Sequence, residues 1–261
     1  MTLSPGARRI VSLVPSLTES LFALGLGDRV VGVTDYCLHP EEGLRGLPRL
    51  GGTKNPDLGA IRALRPDLVI ANREENTERS VRELRRAGIA VHVTDVRSVR
   101  GALATLGELC ALGVSDEARA RVLGPLERAV ARAEARQHPS PPRFFCPIWR
   151  DPWMVVGADT YASDLLTLAG GRNAFAGRRD RRYPVVTLGE VMEAAPDVVV
   201  LPDEPYPFAD TDAAEFAALD LPAARHHRIH RVDGTLLTWY GPRLAAALET
   251  FRQLFAPKPL R

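Results

Sequence analysis

The stretch LGAIRALRPDLVIA, Leu58 to Ala71, is written a second time as LGEVMEAAPDVVVL, Leu188 to Leu201. Leu58 aligns with Leu188, Gly59 with Gly189, Ile61 with Val191, Pro66 with Pro196, Asp67 with Asp197 and Val69 with Val199. The offset is 130 residues (188 minus 58) in a chain of 261. Each copy reads as a short helix, a turn and a strand. Proline disfavours helix in the residue before it, and the short apolar run that follows is a buried-strand signal. One helix–turn–strand unit written twice, half a chain apart, predicts two similar α/β lobes.

The surroundings of each copy agree. Ile10–Val14 and Val30–Thr34 read as strands flanking a helix, with Ser16 and Glu19 spaced as a capping box. Thr77–Ala87 reads as a helix ended by Gly88, Ala90–Thr94 as a strand and Val99–Leu112 as a helix. Phe144–Trp149 and Met154–Gly157 read as strands, and Thr160–Ala169 as a helix. Strands alternating with helices imply parallel sheets with helices on their faces. Between Ser115 and Gln137 there is no strand signal. Val122, Leu126, Ala129, Val130 and Ala133 form a helical stripe, with Ser115 as N-cap and Gly124-Pro125 as a kink. About 23 helical residues span roughly 35 Å. The expected division is a first lobe over 1–113, a bridging helix over 114–139 and a second lobe over 140–261.

Composition narrows the function classes. The net charge of +2 carries no strong field toward nucleic acid or an anionic membrane. The cations are nearly all arginine, with Lys54 and Lys258 as the two lysines. Three cysteines, Cys37, Cys110 and Cys146, without a CxxC pair, argue against a disulfide framework or a structural zinc site. No run reaches the roughly 18 apolar residues of a membrane span. The opening MTLSPGARR does not read as a secretory signal, so the chain as written is expected in the cytosol unless its recorded start is not the natural one.

RIVSLVPSLTESLFALGLGDRVVGVT, LRPDLVIA, GGRNAF and AAPDVVVL together resemble the class III periplasmic binding proteins, the substrate-binding partners of ABC importers for cobalamin, haem and iron–siderophores. The resemblance runs from about Arg9 to Phe255, and TDYCLHP draws it toward the cobalamin-binding branch. It implies two Rossmann-like lobes with parallel sheets joined by a single long backbone helix, a ligand held in a cleft, and a monomer. It implies a non-catalytic protein that binds a corrinoid, cobalamin foremost, with haem or an iron–siderophore as the alternative ligand. A cytosolic metallocofactor enzyme or carrier is the further alternative.

A flat macrocycle needs aromatic faces and a few orienting polar groups. The resemblance assigns these to Tyr36, Trp153, Tyr183, Asp233, Trp239, Tyr240 and Arg243. Cys37 and His39 in YCLHP are donors that iron or cobalt accepts. The basic run GRRDRRYP, Arg178 to Arg182 beside Tyr183, suits an anionic ligand group, and HHRIH (His226, His227, His230) reads as an exposed edge. There are two departures. Asn72 stands where the cobalamin-binding branch has an aromatic plate. Gly59 and Gly189 stand where the family carries the acids that dock onto the permease, with Asp57 and Glu190 nearby, which suggests a carrier or sensor detached from an importer. The chain lacks GxSxG, HExxH, a P-loop and a GxGxxG after the first strand, so no enzyme is expected.

Overall fold

The computed structural model describes residue 3, residues 5–136 and residues 138–256. Gln137 and Lys258 lie outside the described residues. The chain divides into two compact units. The first comprises residues 1–96, 100–127 and 240–242, and the second residues 97–99, 128–239 and 243–261.

The first unit holds four parallel strands: β1 (Ile10–Ser12), β2 (Val30–Val33), β3 (Leu68–Asn72) and β4 (Val91–Thr94), in the order β2-β1-β3-β4. The second unit has β5 (Arg143–Phe145), β6 (Pro147–Trp149), β7 (Trp153–Val155), β8 (Arg172–Asn173), β9 (Val185–Val186), β10 (Val198–Pro202) and β11 (Ile229–Val232). Its parallel sheet has the order β11-β10-β5-β8, and β6-β7-β9 form a separate antiparallel sheet.

The repeat is real in the topology. In the first unit Ile10 pairs with Leu68 and Val69 with Val91. In the second Phe144 pairs with Val198 and Val199 with Ile229. The repeated strands β3 and β10 therefore keep the same neighbours in the same register, and β2 and β8 occupy matching edges. Of the apolar repeat positions, Ile61, Val69, Val191 and Val199 are buried, and Leu58, Leu64, Leu188 and Ala194 are partly buried against them. Leu58, Ile61, Leu64 and Val69 pack into one cluster, and Leu188, Val191, Ala194 and Val199 into the other. Burying such an aliphatic side chain is worth about 1.5–3 kcal/mol, which is why these positions recur.

The Pro-Asp step has its own reason. Asp67 Oδ2 accepts the amides of Arg8 and Arg9, and Asp197 Oδ2 accepts the amide of Arg143, at 2.7–2.9 Å. The carboxylate thus closes the entry to β1 and to β5. The residue before each proline, Arg65 or Ala195, turns with positive φ (46° and 44°).

Several sequence expectations need correction. Pro15 starts the first helix, Pro15–Ala23, with Val14 as its N-cap. Its preset φ suits the first helical position, so Ser16 lies inside the helix and forms no capping box. The run Phe144–Trp149 is two strands in two sheets, interrupted at Cys146. The long helix is Asp116–Glu134, 19 residues with Pro125 inside it, and Ser115 Oγ accepts the Ala118 amide. No helix among the described residues is long and apolar enough to cross a membrane.

Candidate functional site

Parallel α/β sheets take ligands beyond the carboxyl ends of their strands, so each unit is described there. In the first unit β2 leaves the sheet at Thr34 and turns through Asp35 and Tyr36. The Cys37 amide donates to Thr34 O at 3.2 Å, closing the turn. Arg49 clamps it from outside, donating to the carbonyls of Thr34 (3.1 Å) and Cys37 (2.6 Å). The Cys37 thiol anchors it from inside, 3.1 Å from Thr18 Oγ1 and 3.2 Å from Thr34 Oγ1. The result is Tyr36 held outward with 61 % of its surface exposed, beside an exposed Leu38.

This geometry corrects the metal reading. Burial pushes the Cys37 thiol pKa up, against the hydrogen bonds from Thr18 and Thr34, and a metal ligand must be a thiolate. His39 is exposed while Cys37 is buried, so the two do not form a donor pair. No group of three His, Cys, Asp or Glu among the described residues is arranged to hold a metal ion.

Asn72 closes β3 and is buried. Its Nδ2 donates to Thr94 Oγ1 at 3.1 Å and to the Tyr240 hydroxyl at 2.8 Å, and its Oδ1 accepts the Glu74 amide at 2.7 Å. Asn76 Oδ1 accepts the Asn72 amide, and Asn76 Nδ2 reaches the carbonyls of Leu13 and Thr53. Where the resemblance expected an aromatic plate there is a saturated polar network. Tyr240, expected as a ligand face, is part of it. The ring is buried, and burial drives its phenol pKa up, so it stays a neutral hydroxyl.

In the second unit the loop Asp203–Phe208, leaving the central strand β10, is the hub, and the sequence reading missed it. Glu204 accepts Thr238 Oγ1 at 2.7 Å and a bond from the Trp239 indole. Burial raises its carboxyl pKa against those bonds, and the Asp203 and Asp233 charges add to the rise. Arg243 sits 5.0 Å over the Trp239 ring and donates to Thr235 Oγ1 at 2.8 Å. Asp233 caps the helix Gly234–Thr238 by accepting the Thr235 amide and hydroxyl. Asp233, Trp239 and Arg243 are therefore brought together as expected of one segment. Trp239 is buried, while Asp233 is exposed and uses Oδ1 for the cap. Tyr183 is half-buried in a segment running beside β7, where Pro184 O accepts the Val155 amide and Arg182 O the Gly157 amide. Of the basic run, Arg178 is ion-paired to Glu190 at 2.5 Å and Asp180 at 3.6 Å.

Trp153 is the clearest correction. It is 8 % exposed, stacks on Phe208 (6.1 Å, 8°) and meets Phe216 edge-on at 5.2 Å. Arg150 lies 5.0 Å over its ring. The exposed indole is Trp149, four residues earlier, at 44 %. The signal available in sequence was the pair of tryptophans around IWRDPW, which does not say which one faces out.

The docking positions are also placed. Asp57 Oδ1 caps the helix Leu58–Ala63 through the Ala60 amide at 2.9 Å. Glu190 completes a capping box with Thr187 at the matching end of Leu188–Ala194. Gly59 and Gly189 are exposed. A Cβ at Gly189 would meet Thr187 Oγ1 at 3.7 Å, an ordinary contact, whereas one at Gly59 would meet Asp57 Oδ1 at 3.2 Å, so the capping carboxylate would have to give by a few tenths of an ångström.

A family model described as "Periplasmic binding protein" matches residues 10–234. The chain belongs to the periplasmic binding protein family. The ABC transporter substrate-binding lipoprotein YvrC of Bacillus subtilis (strain 168) is 28 % identical over 265 residues, covering 98 % of this chain and 82 % of that protein. The vitamin B12-binding protein of Yersinia pestis (strain Pestoides F) is 30 % identical over 196 residues, 75 % of this chain and 69 % of that one. Among solved structures, the apo periplasmic heme-binding protein RhuT from Roseiflexus sp. RS-1 is 28 % identical with a TM-score of 0.81, covering 96 % of this chain and 98 % of that one. This periplasmic binding protein is a binding protein and not an enzyme, as the sequence expects, and its two parallel-sheet lobes are the fold of its relatives.

Proposed function

We propose that this chain is the substrate-binding component of an ABC importer and that its ligand is a corrinoid, cobalamin foremost. The observation that carries the reading is the placement of exposed apolar side chains. Four large hydrophobics among the described residues are exposed: Tyr36, Leu38, Trp149 and Met192. Three of the four, all but Met192, stand on chain leaving the carboxyl end of a parallel strand, β2 or β5. An exposed tyrosine held rigidly by Arg49 and Cys37 suits a flat conjugated ring, because a preorganised face loses little entropy on binding. The likeness to a vitamin B12-binding protein supports the corrinoid class. The likeness to a heme-binding protein supports haem as the second reading, with the same faces used. Docking to a permease is supported by the family alone, with Asp57 and Glu190 as the acids at the two matching helix starts.

The test is titration of the purified protein with cyanocobalamin and with haemin, followed by calorimetry and visible absorbance. Cyanocobalamin is expected to bind with one site, and Tyr36→Ala to weaken it at least about tenfold. Binding of haemin alone moves the ligand to the second reading. A folded sample that binds neither overturns both.

A further inference from the structure

Trp149 and Tyr206 form an aromatic corner that the resemblance does not assign. Their ring centroids lie 5.7 Å apart with planes at 76°, and Trp149 keeps 44 % of its surface exposed. Tyr206 leans on Phe208 (4.7 Å), and Phe208 stacks on Trp153, which continues the ladder into the core. The corner stands on chain leaving two adjacent parallel strands, β5 and β10. A lone exposed indole is ordinary on a protein surface. One braced edge-on by a tyrosine, beyond the carboxyl ends of the central strands, is a built face.

Its charge is set by Arg150, the next residue. That guanidinium pairs with Asp212 (2.5 Å), Glu215 (2.7 Å) and Asp151 (3.7 Å). One cation against three carboxylates leaves a net −2 (1 minus 3) on the group gathered by Arg150, the residue that follows Trp149. Burial works against the Asp212 charge, but the Ala209 amide and Arg150 outweigh it and hold its carboxyl below the usual range. The group therefore stays ionised at neutral pH. A carboxylate-edged ring meets repulsion here, while a ring edged with neutral amides meets hydrogen-bond acceptors.

We propose that the Trp149–Tyr206 corner is a second ligand face of this protein, which stacks a planar macrocycle with a neutral, amide-bearing edge and discriminates against one edged with carboxylates. The proposal rests on the reading of the chain as a macrocycle-binding protein. Trp149 and Tyr206 are then specificity residues. Arg150 is a positioning residue that acts by fixing the hairpin between β6 and β7 to the helix Asp210–Ala217.

The test uses the full chain labelled with 5-fluorotryptophan, whose three indoles give three fluorine resonances, assigned by Trp149→Phe. Two diamagnetic probes are added in turn, cyanocobalamin and zinc protoporphyrin. Cyanocobalamin is expected to shift the Trp149 resonance and remove its solvent isotope shift, and Trp149→Ala is expected to weaken cyanocobalamin binding about tenfold. Zinc protoporphyrin is expected to leave that resonance in place. Cyanocobalamin that binds with the Trp149 signal unmoved overturns the corner and leaves the corrinoid reading standing. A Trp149 shift with zinc protoporphyrin and none with cyanocobalamin overturns the assignment of an amide edge. If cyanocobalamin does not bind wild-type protein at all, the corrinoid reading itself falls, and the corner's assignment with it.

Discussion

Asp67 Oδ2 accepts the amide of Arg9 at 2.9 Å, while the Arg9 guanidinium donates back to the carbonyl of Leu64 at 2.8 Å. The second unit repeats the pair. Asp197 Oδ2 accepts the Arg143 amide at 2.7 Å, and the Arg143 guanidinium reaches Ala195 O at 2.8 Å. Each aspartate ties the start of a first strand to the turn before its neighbour.

Asp67→Ala removes the acceptor of two amides and is expected to cost about 2 kcal/mol. Asp197→Ala removes that of one and is expected to cost about 1 kcal/mol, both figures discounted for partial exposure. Asn at either position restores part of the loss. Urea unfolding of the four variants checks the ordering. Equal costs for the two alanine variants would show that the amide bonds do not set the energy.

Ala195 has φ near 44°, where a Cβ is penalised. That penalty is about 1–2 kcal/mol, and glycine's extra backbone entropy returns roughly 0.5–1 kcal/mol of it. Ala195→Gly is therefore expected to stabilise the protein by about 0.5–1 kcal/mol, read as a higher melting temperature. A loss of stability would mean that the methyl group packs more usefully than its backbone strain costs.

Burial raises the Glu204 carboxyl pKa above the usual 4.5. The folded state then holds the proton more tightly than the unfolded chain. Stability falls as pH rises from about 4.5 through the raised folded value, and the penalty is in full force above it. Glu204→Gln keeps an acceptor for Thr238 and removes the charge. It is expected to melt about 2 °C or more above wild type near pH 7.5, with the gain vanishing near pH 4. Melting curves across that range decide the matter, and a gain that grows on acidification would reverse the sign.

Burial raises the pKa of all three thiols, and Cys37 and Cys146 are buried outright. At pH 8 a thiol reagent is expected to find Cys110 first and the other two only after denaturation. Arg49→Met releases the Thr34–Cys37 turn and is expected to speed Cys37 labelling about tenfold or more, since two hydrogen bonds of about 1 kcal/mol each are lost. An unchanged rate would show that the thiol pocket, and not Arg49, holds Tyr36 out.

How far the site was legible can be seen in particular residues. Thr77 and Thr160, read from the sequence as the first residues of two helices, are the N-caps of those helices. Tyr36 lies in a turn after a strand, and its exposure follows from that turn. Trp149 and Trp153 defeated the same reasoning. They flank one tight hairpin, and the β6–β7 pairing shifts register between Pro147 and Trp149. A bulge resets which side chains face inward, so alternation along the sequence could not tell the core indole from the exposed one. Glu204 and Tyr206 were missed because PDEPYPF reads as a loop, and what they touch lies elsewhere in the chain.

The repeat and the alternation of strand and helix were settled by the sequence alone, because each depends on residues close together along the chain. Two lobes with parallel sheets follow from those local preferences. The faces offered to a ligand were decided by the tertiary structure. Burial, register and the pairing of Arg150 with Asp212 and Glu215 join residues up to 65 positions apart (215 minus 150), and no local pattern encodes which of two neighbouring aromatics the core will take.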